Sequence, residues 1–185
     1  MRSISLALIA AMFSLVVLNG QVTTPVTISA FATKLSELGG SRAGTIGIQI
    51  DQWSTDAQRD ALTRTFLDNG PQQLLNAVRD AKPVGRMRGV GTLTWEIRFA
   101  RQNVLQGGET QILLLTDRPV GFLDEAKQPS GYPFTLIDLR IKKDGTGVGK
   151  ASVASKLVYN QVTNAVELEN FAGQPVRIEG VKIER

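Results

Sequence analysis

From Phe134 to Ile141 the chain alternates with a period of two: Thr135, Ile137, Leu139 and Ile141 fall on one side, Phe134, Leu136, Asp138 and Arg140 on the other. That period sends successive side chains to opposite faces of a strand. Both sides begin apolar, between Phe134 and Ile137, so the pattern predicts a sheet covered on both faces there, by a closed barrel or a packed helix. Asp144-Gly145 supplies the positive-φ turn of a tight hairpin, whose second arm runs on to Leu157-Val158-Tyr159. Gly147 and Gly149 within that arm read as bulge or close-approach positions.

The same two-residue period recurs along the chain. Val26 to Leu35 alternates, residues 36–42 form a Gly-containing loop, and Thr45 to Trp53 alternates again, giving a first hairpin. Ser54-Thr55-Asp56 then opens a helix, with Thr55 and Gln58 as a capping box and Asp56 complementing the helix dipole. Ala57, Ala61, Leu62, Thr65 and Phe66 mark its expected buried face, and Gly70 its end. Pro71 begins a second helix with Leu74, Leu75 and Val78 on its apolar side, stopped by Lys82-Pro83.

Strands resume at Val84. Leu93, Trp95, Ile97 and Phe99 are expected on one face against Thr94, Glu96, Arg98 and Arg101. Gln106 to Glu109 is a turn, Ile112 to Leu115 a strand apolar on both faces, Val120 to Leu123 a short strand, and 124–131 a polar loop. Val166 to Phe171 and Val176 to Glu179 are two further strands, and a bulge at Gly180 keeps Val181 and Ile183 inward while Lys182 and Glu184 stay out. The predicted fold is mainly β: an antiparallel up-and-down meander closing into a barrel-like sheet of about nine strands, with one helical hairpin at about residues 55–81 after the second strand. The chain lacks the paired aromatic girdles and continuous lipid-facing band of an outer-membrane barrel.

Gly145-Thr-Gly-Val-Gly-Lys150 has the texture of a phosphate loop, but the spacing refuses it. A Walker loop needs glycine where Asp144 stands and Ser or Thr where Ala151 stands. A dinucleotide fingerprint needs glycine at Lys150 and a helix after it, where a strand pattern follows.

Met1-Arg2, the apolar run of 15 residues from Ile4 to Leu18, and the break at Asn19-Gly20-Gln21 have the layout of a secretory signal. The run is shorter than a membrane-spanning helix needs. The expected organisation is therefore a signal peptide over 1–20 and a single domain over 21–185, exported to the periplasm or medium, with no stable membrane span after cleavage. Its 165 residues are enough to bury a sizeable core without staples. Without Arg2 the formal charge is +3, spread thinly, which argues against a nucleic-acid partner. The sequence has no histidine and no cysteine, which excludes imidazole acid–base chemistry, His or Cys metal sites, thiol nucleophiles and disulfides.

Trp53-Ser-Thr-Asp56, Asp117-Arg-Pro-Val-Gly121, Tyr132-Pro-Phe-Thr-Leu-Ile137 with Asp144-Gly145 and Gly149-Lys150, and Glu167-Leu-Glu-Asn170 together resemble a family of uncharacterised secreted bacterial proteins. The resemblance covers most of the mature chain and implies export and a single domain, with no activity attached. In architecture, a β-meander with one helix pair is similar to the calycin group of small-molecule-binding barrels, lipocalins and fatty-acid-binding proteins among them. Here the helix pair follows the second strand rather than the first, and no calycin signature is present, so the likeness is one of architecture.

Six residues are candidates for a ligand site. Trp95 and Phe99 would line a cavity, and Phe134, Leu136, Asp138 and Arg140 would share one face, with the charged pair orienting a polar head inside a barrel. Asp117-Arg118 would hold an anion or tie a loop to a neighbouring strand. Paired carboxylates are the remaining route to hydrolytic chemistry, but no spacing singles out two among Asp117, Asp138, Glu96, Glu167 and Glu169. No carboxylate calcium loop is present. Two expectations stay open: a non-enzymatic exported barrel that binds a small apolar or amphipathic ligand without a cofactor, and a structural or docking module with a protein partner in the cell envelope. A lined cavity would favour the first, a solid core with exposed apolar surface the second.

Overall fold

The computed structural model describes residues 24–35, 41–89, 94–116, 118, 134–160, 165–171 and 176–184. The expected signal segment, Leu93, Asp117 and the expected strand at 120–123 lie outside them. Nine strands and two helices are present: β1 (Val26–Leu35), β2 (Ser41–Ile50), α1 (Asp56–Asn69), α2 (Pro71–Asp80), β3 (Gly85–Arg88), β4 (Thr94–Val104), β5 (Thr110–Thr116), β6 (Thr135–Ile141), β7 (Thr146–Asn160), β8 (Ala165–Phe171) and β9 (Val176–Glu184).

Every pairing is antiparallel, and β1 to β7 follow one another as a meander. The meander does not continue through all nine strands. The chain returns as β9 and inserts between β7 and β1, closing an eight-stranded barrel, while β8 pairs with the second half of β7. β7 is long enough for both partners: Thr146 to Ala151 faces β9, and Ala154 to Asn160 faces β8. Two three-residue hairpin loops are built alike. Lys142 N–H donates to Thr146 O at 2.8 Å and Leu105 N–H to Glu109 O at 2.8 Å, with Gly145 and Gly108 at positive φ closing the turns.

Alternation fills the interior. Ile28 of β1, Ile46, Ile48 and Ile50 of β2, Met87 of β3, Ile97 of β4, Ile112 and Leu114 of β5, and Ile137 and Leu139 of β6 all point inward and are fully buried. On β7 the inward positions are small: Gly147, Gly149 and Ala151 pair with Ile141, Leu139 and Ile137. This alternation of large against small lets an eight-stranded barrel close with its interior filled. A Cβ at Gly147 would stand 2.2 Å from Arg140 O, so the close approach is between the backbones themselves. At Gly180, φ +59, β9 carries a bulge against both neighbours; Val181 is buried in the core while Lys182 and Glu184 are exposed, as the sequence pattern requires.

The helical hairpin departs from expectation in one half. Thr55 caps α1 through a reciprocal bond with Gln58, and Pro71 opens α2. In α2, Leu74, Leu75 and Val78 are buried, and the helix lies against β4. In α1 nothing is fully buried: Ala57 and Ala61 are exposed, and Leu62, Thr65 and Phe66 are half-buried. Alanine and threonine at three of the five stripe positions give α1 too little apolar area to drive burial of its own, so it rests on α2. Arg98 Nη1 donates to Ala81 O at 2.6 Å, tying the end of α2 to β4.

Candidate functional site

Among the described residues, the barrel interior is lined by large aliphatic side chains that are almost completely buried. Two of the buried polar side chains, those of Thr116 and Ser54, bind structurally. Thr116 Oγ1 donates to Arg118 O at 2.7 Å and accepts from Thr135 N–H at 3.1 Å. Ser54 Oγ accepts from Ala100 N–H at 3.1 Å, holding the β2–α1 connection on β4.

The six candidate residues are divided between two compartments. Trp95 is inside, paired with Met87 across β3 and β4. Phe99 was expected on the same face, but the register slips between Ile97 and Phe99: Ile97 pairs with inward Thr116, Phe99 with Leu115, and Ala100 with inward Leu114. The extra residue reverses the alternation, so Phe99 points outward and Ala100 takes its place in the core. Leu136, Asp138 and Arg140 also point outward, opposite Leu115, Leu113 and Gln111. The charged pair is therefore on the exterior rather than inside the barrel; Asp138 Oδ1 accepts from Gln111 Nε2 at 3.0 Å, and Arg140 is exposed. Phe134 precedes β6 on this outward register and is buried. The expected cover by a closed barrel holds for the inward side of β6, and on the outward side Phe134 is buried and Leu136 half-buried.

Of the other candidates, Asp117 and the side chains of Glu167 and Glu169 lie outside the described residues, and Arg118 and Glu96 serve as framework. Arg118 Nη2 donates to Thr94 O at 2.6 Å and ties the end of β5 to the start of β4. Glu96 is paired with Arg98. Among the described residues, Asp56 and Asp144 are the carboxylates whose acidity is displaced, and both are held below the usual range, Asp56 by the hydrogen bond from Arg101 and Asp144 by the Thr146 hydroxyl. That direction keeps them ionised, the opposite of what a general acid needs. Among the described residues no group of three or more acidic side chains converges as a metal site.

The outer surface is where unusual residues gather. Across β1, β9, β7 and β6, Phe31 and Val148 are exposed, at 46% and 57%. Phe31 pairs with Glu179, Val148 pairs with Arg140, and Val148 falls against the Glu179–Gly180 bulge. Around them stand Arg177, Lys150 and Lys182, all exposed, with Lys150 directly opposite Arg177. The sequence carries a signal for both apolar residues that alternation alone overlooks. Phe31 interrupts the outward series Thr27, Ser29, Thr33, and Val148 the outward series Thr146, Lys150, Ser152. An apolar residue in the polar register of a strand marks surface that packing did not require.

No family model, no curated protein and no solved structure matches this chain. The resemblance to a family of uncharacterised secreted proteins thus has no support from these comparisons, and the closed antiparallel barrel is compatible with calycin-like architecture only loosely. Among the described residues no helix is long and apolar enough to cross a membrane.

Proposed function

We propose that this protein is an exported, non-enzymatic scaffold of the cell envelope that works by presenting its outer surface to another envelope component. The observation that supports this reading is the apolar interior, in which Ile28, Ile50, Ile97, Ile112, Ile137 and Leu139 are buried together, beside an exterior where Phe31 and Val148 are exposed among charges on one side. The signal-like N-terminus supports export, and the lack of histidine and cysteine supports a role without catalysis.

The test is photo-crosslinking in an expressing bacterial host, with the reactive group placed at Phe31, at Val148 or, on the opposite element, at Arg64 of α1. Adducts with an envelope component from the first two positions and none from the third are expected. Equal labelling from all three would overturn the docking reading. A small molecule retained in one-to-one ratio in native mass spectrometry would overturn it in favour of ligand binding.

A further inference from the structure

Resting on the docking reading above, we infer that the component met by the outer face of β9, β7 and β6 is a second copy of this chain, related to the first by a two-fold axis that crosses β7 at Gly149. The charges of this face are mixed and nearly balanced: on these strands Arg140, Lys150, Arg177 and Lys182 stand among Asp138, Glu179 and Glu184. Six positions form two adjoining rows across the sheet. Arg177, Lys150 and Asp138 make one row, since Lys150 pairs with both of the others. Glu179, Val148 and Arg140 make the next, Val148 pairing with Arg140 and falling against the Glu179–Gly180 bulge. Between the rows the charge reverses on both flanking strands, from Glu179 to Arg177 on β9 and from Arg140 to Asp138 on β6.

This reversal makes the face complementary to itself. A two-fold axis lying in the interface at right angles to β7 lays each row of one copy on the other row of its mate. Glu179 then meets the second copy's Arg177, Asp138 meets the second copy's Arg140, and each contact occurs twice. Between them Val148 lies against the aliphatic stem of the second copy's Lys150, so no like charges meet at these six positions. Arg140, Arg177 and Glu179 are exposed and enter no ion pair among the described residues. An axis along the strands would instead set Arg177 against Lys150, and a partner of one strong charge would be repelled by about half of the face whichever sign it carried. Two convex barrels touch over a limited area, so the dimer is a weak one, with the exposed Val148 near its centre and Phe31 at its margin on β1.

Sedimentation velocity over a range of concentrations tests this, using the exported chain as recovered from an expressing host. A monomer–dimer equilibrium that added salt weakens is expected. Glu179→Arg and Arg177→Glu each set like charges together, and each should raise the dissociation constant about tenfold or more. Mixed in equal amounts, these two variants should associate again, because every contact of the mixed dimer joins an acid to a cation. Glu179→Arg mixed with Arg64→Glu, a reversal of the same charge at the helical end, should not recover, with melting temperatures verifying that each variant is folded. A chain that stays monomeric at every concentration, a dimer that survives both reversals, or equal recovery in the two mixtures would overturn the inference. If the chain is monomeric while crosslinks from Val148 reach a different protein or a lipid, the second-copy assignment alone falls; if the crosslinks are absent as well, the docking reading falls with it.

Discussion

Asp56, the first residue of α1, accepts a 2.6 Å bond from Arg101 Nη1 of β4 and also lies 3.3 Å from Arg59 Nη1. A single carboxylate thus joins the helix start, the helix's own first turn and the barrel wall. Arg101 holds its acidity below the usual carboxylate range, first through the hydrogen bond and then through charge. A group whose folded acidity is lowered stabilises the fold above its unfolded pKa, and that stabilisation is lost as pH falls through the folded one. Urea midpoints should therefore drop below about pH 4. In Asp56→Asn that acid limb should flatten, with a small loss at neutral pH because the bridge is exposed.

The two helices should respond unequally to truncation. Leu75 of α2 is almost fully buried, and Leu75→Ala is expected to cost about 2–5 kcal/mol. Phe66 of α1 is half-buried, so Phe66→Ala should cost less than the ~3–5 kcal/mol of a fully buried phenylalanine. Chemical denaturation of both variants decides it; an equal or larger loss for Phe66 would mean that α1, not α2, anchors the hairpin.

Two strand glycines should behave in opposite ways. At Gly147 an added methyl would press against Arg140 O and the backbone around it, and Gly147→Ala is expected to cost roughly 1–3 kcal/mol. At Gly47 the space is open, and Gly47→Ala should be neutral or stabilise by up to about 1 kcal/mol. Thermal melts of the two variants, measured side by side, check this.

Thr116 sits fully buried between Arg118 O and Thr135 N–H, bonded to both. Thr116→Val keeps the shape and removes both bonds, which should lower stability by about 1–3 kcal/mol. Amide exchange at Thr135 should quicken in the same variant, since its N–H loses the hydroxyl acceptor.

These particulars divide into what a linear pattern can encode and what it cannot. The bulge at Gly180 was legible because a glycine marks the extra residue and the apolar series resumes out of step after it. The bulge between Ile97 and Phe99 was not, because Arg98 carries no turn chemistry and the slip is settled by pairing with Thr116 and Leu115. The place of β8 outside the barrel was likewise hidden, since its alternation resembles that of β9 and only long-range pairing separates them. The candidate site suffered from the same parity: Asp138 and Arg140 were placed on the correct face relative to Leu136, yet which face was inside depended on partners far along the chain.

The insertion of β9 between β1 and β7 makes the first strand of the barrel a neighbour of the last. During synthesis, β1 and β7 both present open edges until the final segment emerges, and the closing contacts span nearly the whole described chain. Such non-local pairing slows folding and leaves strand edges exposed to other chains in the meantime. Under the export proposed above, late closure serves secretion: the barrel cannot complete itself while β9 is still in the ribosome.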